Sequence, residues 1–332
     1  MQRKRAKNIA PSSSEPIMHF NKTVAVVVPA YNEEPLIEKA ISSIPDFVET
    51  IIVVDDASKD RTASVVKTMM QSDPRIELIV HPVNQGVGGA IVSGYKKALA
   101  MNMSVTAVMA GDAQMDPEDL VRIIGPIAHG TADYTKGNRL FYGDAWNMMP
   151  HHRYLGNALL SLITKFSSGY WHIADSQCGY TAISLVALQK INLDKVYKRY
   201  GMPNDLLIKL NEHNFRVEDV HVRPVYNVGE KSGIKLTRVA PKIGWILFRG
   251  FWQRLFVKYV IRDFHPLVFF YLLSFLLISA SVPLTIRLFH VWATTGDIPD
   301  MNALALAFTI ISGLQTLFFG MWFDMDYNKN LR

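Results

Sequence analysis

Cysteine is almost absent from the chain: Cys178 is the single one among 332 residues. An intramolecular disulfide and a cysteine-rich zinc finger both need more than one thiol, so both are excluded. Residues 1–20 also lack an apolar run that could form the core of a secretory signal, and we expect them to be a disordered basic tail without an export signal. These absences predict a protein that folds without oxidation.

Acidic residues are missing from 231–262, a segment that contains eight basic residues. Four more basic residues lie within the first ten positions. Without these twelve cations the formal net charge of +6 becomes −6, so the rest of the chain is acidic. Basic charge confined in this way favours attraction to an anionic membrane surface, and no nucleic-acid partner is expected.

Charge is absent from two long apolar runs, 266–286 and 301–323, which have 21 and 23 residues. Each is long enough to cross a bilayer core of roughly 30 Å as a helix. We therefore predict transmembrane helices at 264–290 and 300–324, followed by a tail at 325–332. Basic residues precede the first run and follow the second, so the positive-inside rule predicts an integral protein of the cytoplasmic membrane with its main domain and both termini cytoplasmic.

The segment 234–263 has the spacing of amphipathic juxtamembrane helices, and Pro241 is predicted to divide it into two. Arg254, Lys258 and Arg262 recur at steps of four and form a basic stripe. Such a stripe suits the headgroups of membrane lipids. The alternative is a helix packed on the soluble domain with a solvated basic face.

From residue 21 to 233, short apolar strands alternate with helical segments. The predicted strands are Val24–Val28, Thr50–Val54, Ile76–Val80 and Val105–Met109. Short, fully apolar strands separated by helices indicate an α/β domain with a mostly parallel, Rossmann-like sheet covered on both faces. Because ligands bind at the carboxyl ends of such strands, the polar residues after three of these strands should share one rim.

Four motifs follow this pattern in order. They are 29–33 (Pro-Ala-Tyr-Asn-Glu), 54–62 (Val-Asp-Asp-Ala-Ser-Lys-Asp-Arg-Thr), 84–86 (Asn-Gln-Gly) and 111–117 (Gly-Asp-Ala-Gln-Met-Asp-Pro). Together they resemble the signatures of family 2 glycosyltransferases of GT-A fold over about residues 23–235. Within that family the chain is most similar to polyprenyl-phosphate glycosyltransferases, such as dolichyl-phosphate mannose synthases and bactoprenol glucosyltransferases.

The fourth motif predicts a divalent metal site. Sugar transfer from a nucleotide sugar releases a diphosphate, whose charge is usually stabilised by a cation held through few protein oxygens. Asp112 and Gln114 are the predicted ligands of Mg²⁺ or Mn²⁺. Relatives often carry Asp-x-Asp-x-Gln here, whereas this chain has Ala110 at the first position. The resemblance implies that the second Asp and the Gln suffice.

The other motifs predict the binding site for the nucleotide sugar. Tyr31 can offer its ring to the base, and Glu33 and Asp56 can accept hydrogen bonds from base or ribose. The alternative for Asp55 and Asp56 is a pair that caps the next helix. The predicted donor-binding residues are Pro29, Tyr31, Glu33, Asp55, Asp56, Asn84, Gly86, Lys231 and Ser232.

A polyprenyl phosphate acceptor is already ionised, so it needs orientation and charge compensation more than a strong base. Arginine suits phosphate through its planar set of donors. The resemblance implies that Arg139 and Arg153 bind the acceptor phosphate and that Asp175 and Gln177 line the active site. With Asp112, these are the predicted catalytic residues.

The predicted function is inverting transfer of one sugar to polyprenyl phosphate at the cytoplasmic leaflet, with a UDP-hexose or UDP-N-acetylhexosamine favoured over GDP-mannose. The first alternative is a transferase that acts on a lipid-linked glycan or makes polymer, although the Gln-x-x-Arg-Trp string of processive synthases does not occur. The second is a catalytically weak nucleotide-sugar-binding membrane scaffold, suggested by Ala110. The resemblance also implies a homo-oligomer.

Overall fold

The computed structural model of the chain describes residues 22–140, 151–225 and 236–332. The strands are β1 (Val24–Ala30), β2 (Thr50–Asp55), β3 (Ile76–Val80), β4 (Val105–Val108), β5 (Tyr134–Asn138), β6 (Thr181–Ser184) and β7 (Val217–His221). They form one sheet in the order β3-β2-β1-β4-β6-β5-β7. Only β6 runs antiparallel to its neighbours, β4 and β5. The predicted α/β fold with a mostly parallel sheet is confirmed.

Helices cover both faces of the sheet. They are α1 (Ile37–Ser42), α2 (Thr62–Met69), α3 (Val87–Ala100), α4 (Leu120–Ala128), α5 (His151–Ser168), α6 (Leu185–Lys190) and α7 (Met202–Glu212). Successive residues of a strand point to opposite faces. Val27 therefore packs in a core with α3, α6 and α7, while Val26 and Val28 pack in a second core with α1, α2 and α4. Burial on both faces explains why β1 and β2 are apolar almost throughout.

The C-terminal part is helical. It consists of α8 (Leu236–Phe256), a π-helical continuation (Val257–Arg262), α9 (Leu267–Thr295) and α10 (Asp300–Asn328). Pro241 lies inside α8, so the predicted division into two helices is wrong. As the sixth residue of the helix, Pro241 removes one backbone donor near the beginning and leaves the later hydrogen bonds in place.

Helices α9 and α10 form a closely packed hairpin and are both long and apolar enough to cross a membrane. Ser274 Oγ donates to the Gly313 carbonyl at 2.9 Å. A Cβ at Gly313 would lie 2.9 Å from Ile278 Cγ1, so this glycine lets the two helices approach each other. The outward side chains are apolar and exposed, as for Leu276 (66%) and Phe308 (63%). This hairpin is a candidate membrane anchor.

The prediction that the basic stripe faces lipid headgroups is wrong for Arg254 and Lys258. The alternative is right that the helix packs on the soluble domain, where Ile243 and Leu247 of α8 contact Ile208 of α7. It is wrong that the basic face is solvated, because only Arg262 of the three is exposed. The side chains of Arg254 and Lys258 are buried, and Arg262 donates to the Glu212 carbonyl. Arg254 is paired with Asp324 of α10, a carboxylate 70 positions further along the chain. Helical spacing predicted the basic face correctly, but it could not predict that this face would contact the buried carboxylate of Asp324.

Candidate active site

The carboxyl ends of β1, β2 and β4 lie side by side in the sheet and form a rim of polar loops. We call this the donor rim. A non-glycine residue with positive φ follows each strand: Asn32 (φ 56°), Ala57 (φ 61°) and Ala113 (φ 53°). This conformation is costly for alanine and tends to persist where a site requires it. The strain therefore marks the same rim that the motifs predicted.

Asp112 and Gln114 flank Ala113, the strained residue after β4. The Gln114 backbone N–H donates to Asp112 Oδ1 at 3.1 Å, which fixes the loop. The Nε2 atom of Gln114 is buried and has no hydrogen-bond partner within the described part of the chain. A buried amide without a partner next to a half-buried carboxylate is an arrangement prepared for a ligand.

Glu33 follows β1 and lies in the electrostatic field of Asp112. Burial, together with the negative charges of Asp112 and Asp60, raises the pKa of Glu33 to about 7. Within the described ranges no group of three or more His, Cys, Asp or Glu side chains could hold a metal ion. A cation at the rim would therefore have few protein ligands, predicted above to be Asp112 and Gln114, and would complete its coordination with donor phosphate and water.

Asp55 and Asp56 differ in how they are used. Both carboxylate oxygens of Asp56 are occupied: Oδ1 accepts from the Gln85 N–H at 2.8 Å and Oδ2 from the Gly86 N–H at 2.7 Å. His81 Nδ1 also lies 2.7 Å from Asp56 Oδ1. Asp56 thus fixes the loop before α3, whereas the alternative had it capping the next helix, α2. Asp55 Oδ1, by contrast, is buried, has no partner among residues 22–140, 151–225 and 236–332, and remains able to accept a hydrogen bond.

The remaining donor-binding predictions fall into two groups. Tyr31 is 42% exposed on the rim and can present its ring. Pro29 is buried in β1, where its carbonyl accepts from the Gly111 N–H at 3.2 Å. Asn84 Nδ2 donates to the Asp56 carbonyl at 3.1 Å, so Asn84 shapes the loop before α3. Gly86, with φ 89°, lies at the same loop.

The predicted acceptor residues meet near β5 and β6, which lie beyond β4 in the sheet. Arg139 Nε donates to Asp175 Oδ2 at 2.8 Å and its Nη2 donates to Asp175 Oδ1 at 3.2 Å. The charge of Arg139 holds the pKa of the fully buried Asp175 below its usual range, despite burial. The Gln177 N–H donates to Asp175 Oδ1 at 3.1 Å. The structure therefore brings Arg139, Asp175 and Gln177 together, while the Arg153 side chain, Lys231 and Ser232 lie outside the described residues.

Helix α5 packs its polar inner side against this acceptor site. Ser161 Oγ accepts from the Ser176 N–H at 2.9 Å. Thr164 Oγ1 donates to Asn204 Oδ1 at 3.0 Å, and the same oxygen accepts from Gln177 Nε2 at 2.8 Å. The orientation of Gln177 is thus fixed by α5 and α7 together.

Comparison with known families identifies this arrangement. The model of a family described as glycosyl transferase family 2 matches residues 25–191. The chain belongs to this family. The predicted resemblance is confirmed, and the protein is a glycosyltransferase.

Similar proteins include transferases that act on lipid phosphates. This glycosyltransferase is 30% identical to the UDP-N-acetylglucosamine–dolichyl-phosphate N-acetylglucosaminyltransferase of Methanococcus voltae, over 72% of this chain and 97% of that relative. It is 28% identical to the undecaprenyl-phosphate mannosyltransferase of Micrococcus luteus, over 60% of this chain and 82% of that relative.

Solved structures support the fold. Glucosyl-3-phosphoglycerate synthase from Mycobacterium tuberculosis, in complex with Mn²⁺, UDP-glucose and phosphoglyceric acid, matches with a TM-score of 0.52 at 20% identity, over 70% of this chain and 80% of that one. The same enzyme in complex with Mg²⁺ and UDP matches with a TM-score of 0.51 at 19% identity, over 70% and 79%. These neighbours bind Mn²⁺ or Mg²⁺ on a shared GT-A-like fold.

Two charged residues behind the acceptor site were missed by sequence reasoning. Lys136 of β5 is fully buried and donates to the Cys178 carbonyl at 2.7 Å; burial lowers its pKa. Asp219 of β7 lies opposite Lys136 in the pairing of β5 with β7 and accepts from Asn138 Nδ2 at 2.8 Å. Burial raises the pKa of Asp219 to about 6. The only signal was charged residues inside the two strands, Lys136 in β5 and Glu218 and Asp219 in β7, and it becomes informative once these strands are known to pair.

Proposed function

We propose that this glycosyltransferase moves a single sugar, with inversion, from a UDP-hexose or UDP-N-acetylhexosamine to polyprenyl phosphate at the cytoplasmic leaflet. Helix α5 carries this proposal. Its inner side contacts the acceptor site, while Leu155, Leu159 and Leu162 on its outer side are 59%, 62% and 60% exposed. An apolar stripe at helical spacing is typical of a helix that lies in the membrane interface. A lipid acceptor would reach the site along this helix.

The donor rim supports a nucleotide sugar. Tyr31 would stack on the base, and the unpartnered Asp55 Oδ1 would accept a hydrogen bond from base or ribose. Asp112 and Gln114 would hold Mg²⁺ or Mn²⁺, which when bound would offset the negative charge of the departing diphosphate. The preference for UDP follows the M. voltae relative, which is 30% identical.

Arg139 would orient the acceptor phosphate. An oxygen of that phosphate attacks the anomeric carbon, forming the new C–O bond as the bond to the nucleoside diphosphate breaks and its electron pair leaves with the diphosphate. No proton has to be removed, because the phosphate is already ionised near neutral pH. Asp175 holds Arg139 through two hydrogen bonds, so the guanidinium is oriented before the acceptor arrives. In-line attack without a covalent enzyme intermediate inverts the anomeric configuration.

The cytoplasmic orientation is supported by the ends of the hairpin. Lys329 and Arg332 follow α10 on the side of the catalytic domain, and Asp297 lies in the turn at the opposite end. The domain boundaries given above and the homo-oligomer remain predictions.

A single assay tests the proposal. The purified full-length chain is incubated in detergent with Mn²⁺ or Mg²⁺, a panel of UDP- and GDP-sugars and a short polyprenyl phosphate, and lipid products are identified by mass. We expect a lipid phosphate carrying one sugar, and we expect a chelator to abolish it. Polymer would favour the first alternative, and inactivity with retained nucleotide binding would favour the scaffold. Rates unchanged by the chelator would remove the metal assignment.

A further inference from the structure

The hairpin is joined to the catalytic domain by a buried cluster of Arg254, Lys258, Tyr259, Asp324 and Asn328, here called the hairpin cluster. Arg254 Nη1 and Nη2 donate to Asp324 Oδ1 and Oδ2 at 2.8 and 3.0 Å, and both side chains are fully buried. Tyr259 Oη donates to Asp324 Oδ1 at 2.5 Å, and Asn328 Nδ2 donates to the same atom at 2.9 Å. A bidentate buried pair with further hydrogen bonds fixes the end of α10 in one orientation.

The same guanidinium reaches the end of the acceptor-site helix. Arg254 Nε donates to the Ser167 carbonyl at 2.9 Å and Nη2 donates to the Phe166 carbonyl at 3.2 Å. The last carbonyls of a helix have no partners within the helix, so Arg254 caps α5. Gly169, with φ 77°, ends this helix, and a Cβ there would lie 2.5 Å from Arg254 Nη1. The close contact leaves the guanidinium little freedom.

The contacts with the acceptor site lie on the same helix, six and three residues before Ser167. Ser161 and Thr164 hold Ser176 and, through Asn204, Gln177. A continuous set of hydrogen bonds and one helix therefore connects Asp324 at the end of the hairpin to Gln177. Helix α5 is rigid over this short distance, so a shift at its cap would be felt at the acceptor site.

We propose that Arg254 and Asp324 are positioning residues, which seat α5 on the membrane hairpin so that the acceptor site is held at a fixed depth relative to the bilayer. The inference rests on the proposed function, because depth matters for an acceptor that is delivered from the membrane. Neither residue touches the reacting atoms. The pair therefore acts on acceptor use and leaves the donor rim, which α5 does not contact through these bonds, unaffected.

The test replaces both members of the ion pair, so that neither Arg254 nor Asp324 is left without the other, while Lys258 keeps its hydrogen bonds to Asn211 and Asn328. Arg254→Met combined with Asp324→Leu keeps the junction apolar and removes the cap on α5. In the full-length chain reconstituted into phospholipid vesicles that contain polyprenyl phosphate, we expect the KM for polyprenyl phosphate to rise about tenfold, while the KM for the UDP-sugar and its hydrolysis without acceptor stay within about twofold of wild type. The control is Asp326→Asn, which breaks an exposed pair with Lys329 in the same helix turn and should change neither KM.

Arg254→Lys provides a second variant if the double variant does not fold, because it retains the charge but cannot make the same set of hydrogen bonds. We expect the same selective rise in acceptor KM, and partial rescue in Asp324→Glu compared with Asp324→Asn. A folded variant with unchanged acceptor KM, or with equal rises for donor and acceptor, would overturn the positioning role. If the wild-type chain itself forms no lipid product, that result contradicts the proposed function, and the positioning role is then overturned as well because it depends on that function.

Discussion

The donor rim and the hairpin cluster are both polar, but they are built differently. At the donor rim, the carboxylates of Asp112 and Asp56 accept from N–H groups two and 30 positions away. Strained backbone is present, and one buried atom each of Asp55 and Gln114 lacks a partner in the part of the chain that the structure describes. In the hairpin cluster, Arg254 bonds to residues 70 and 87 positions away, and each side chain of the cluster is hydrogen-bonded within it.

The difference separates polar groups that wait for a ligand from polar groups that join parts of the fold. A buried polar atom without a partner is costly, so its presence at the rim indicates a ligand. A buried ion pair whose hydrogen bonds are satisfied needs no ligand and is very sensitive to the loss of one partner. Substitutions at the rim should therefore lower turnover at nearly constant stability, whereas substitutions of fully bonded residues should lower stability.

Asp112→Asn gives the largest expected effect. Loss of this carboxylate should lower kcat on the order of a thousandfold, because the charge of the leaving diphosphate is no longer offset. Turnover and Mn²⁺ binding are measured together, and both should fall while the thermal midpoint stays near that of wild type. Asp116→Asn is the matched control, since Asp116 Oδ1 accepts from the Glu118 N–H and caps a short turn. Equal losses in the two variants would mean that Asp112 acts on loop structure alone.

Asp56→Ala tests a rim residue that is bonded like a member of the hairpin cluster. It leaves the N–H groups of Gln85 and Gly86 without their acceptor, and we expect Tm to fall by roughly 6–12 °C. Asp73→Ala, which removes a partly exposed pair with Arg75, should lower Tm less. Circular dichroism during heating measures both. An unchanged Tm together with weaker UDP binding would contradict the structural role and would support donor binding by Asp56.

Arg139→Lys tests the acceptor site, where a residue proposed to bind a ligand is also held by hydrogen bonds within the fold. Lysine keeps the charge but loses the bidentate contact with Asp175, so kcat/KM for polyprenyl phosphate should fall about a hundredfold. Hydrolysis of the donor without acceptor should stay near the wild-type rate. Arg216→Lys, at a half-exposed pair with Asp133, is the control and should have little effect. Parallel losses of transfer and hydrolysis would place Arg139 in donor binding.

How much of the fold and of the site could be predicted from the sequence depended on how far apart along the chain the interacting residues lie. Strands β1 to β4 and the rim were predictable, because apolar runs end directly in Asp55 and near Asp112. Arg139 and Asp175 came from resemblance, since the 36 positions between them hide their contact. The pairing of Arg254 with Asp324 could not be predicted from the sequence, because basic residues that recur at helical spacing are typical of an exposed helix face. Lys136 and Asp219 stayed hidden until the pairing of β5 with β7 was known.

The smallest expected effect concerns Glu33 and the pH dependence of stability in metal-free protein. Burial and the charge of Asp112 raise the pKa of Glu33 to about 7, so the native state binds this proton more tightly than the unfolded chain, whose pKa is near 4.5. Stability should therefore fall as pH rises from about 4.5 to 7, by about 1 kcal/mol after allowance for solvent screening of a half-exposed group. Glu33→Gln should flatten this slope in Tm measured with a chelator present.

Added Mn²⁺ sharpens the same comparison, because a cation at Asp112 offsets the negative charge that raises the pKa of Glu33. The pH slope of the wild-type chain should then diminish, while that of Glu33→Gln should stay flat with or without metal. Glu49→Gln is a suitable control, since Glu49 is an exposed carboxylate in the turn before β2. A slope in Glu33→Gln as steep as in wild type would assign the pH dependence to other carboxylates and weaken the electrostatic link between β1 and β4 on which the donor rim depends.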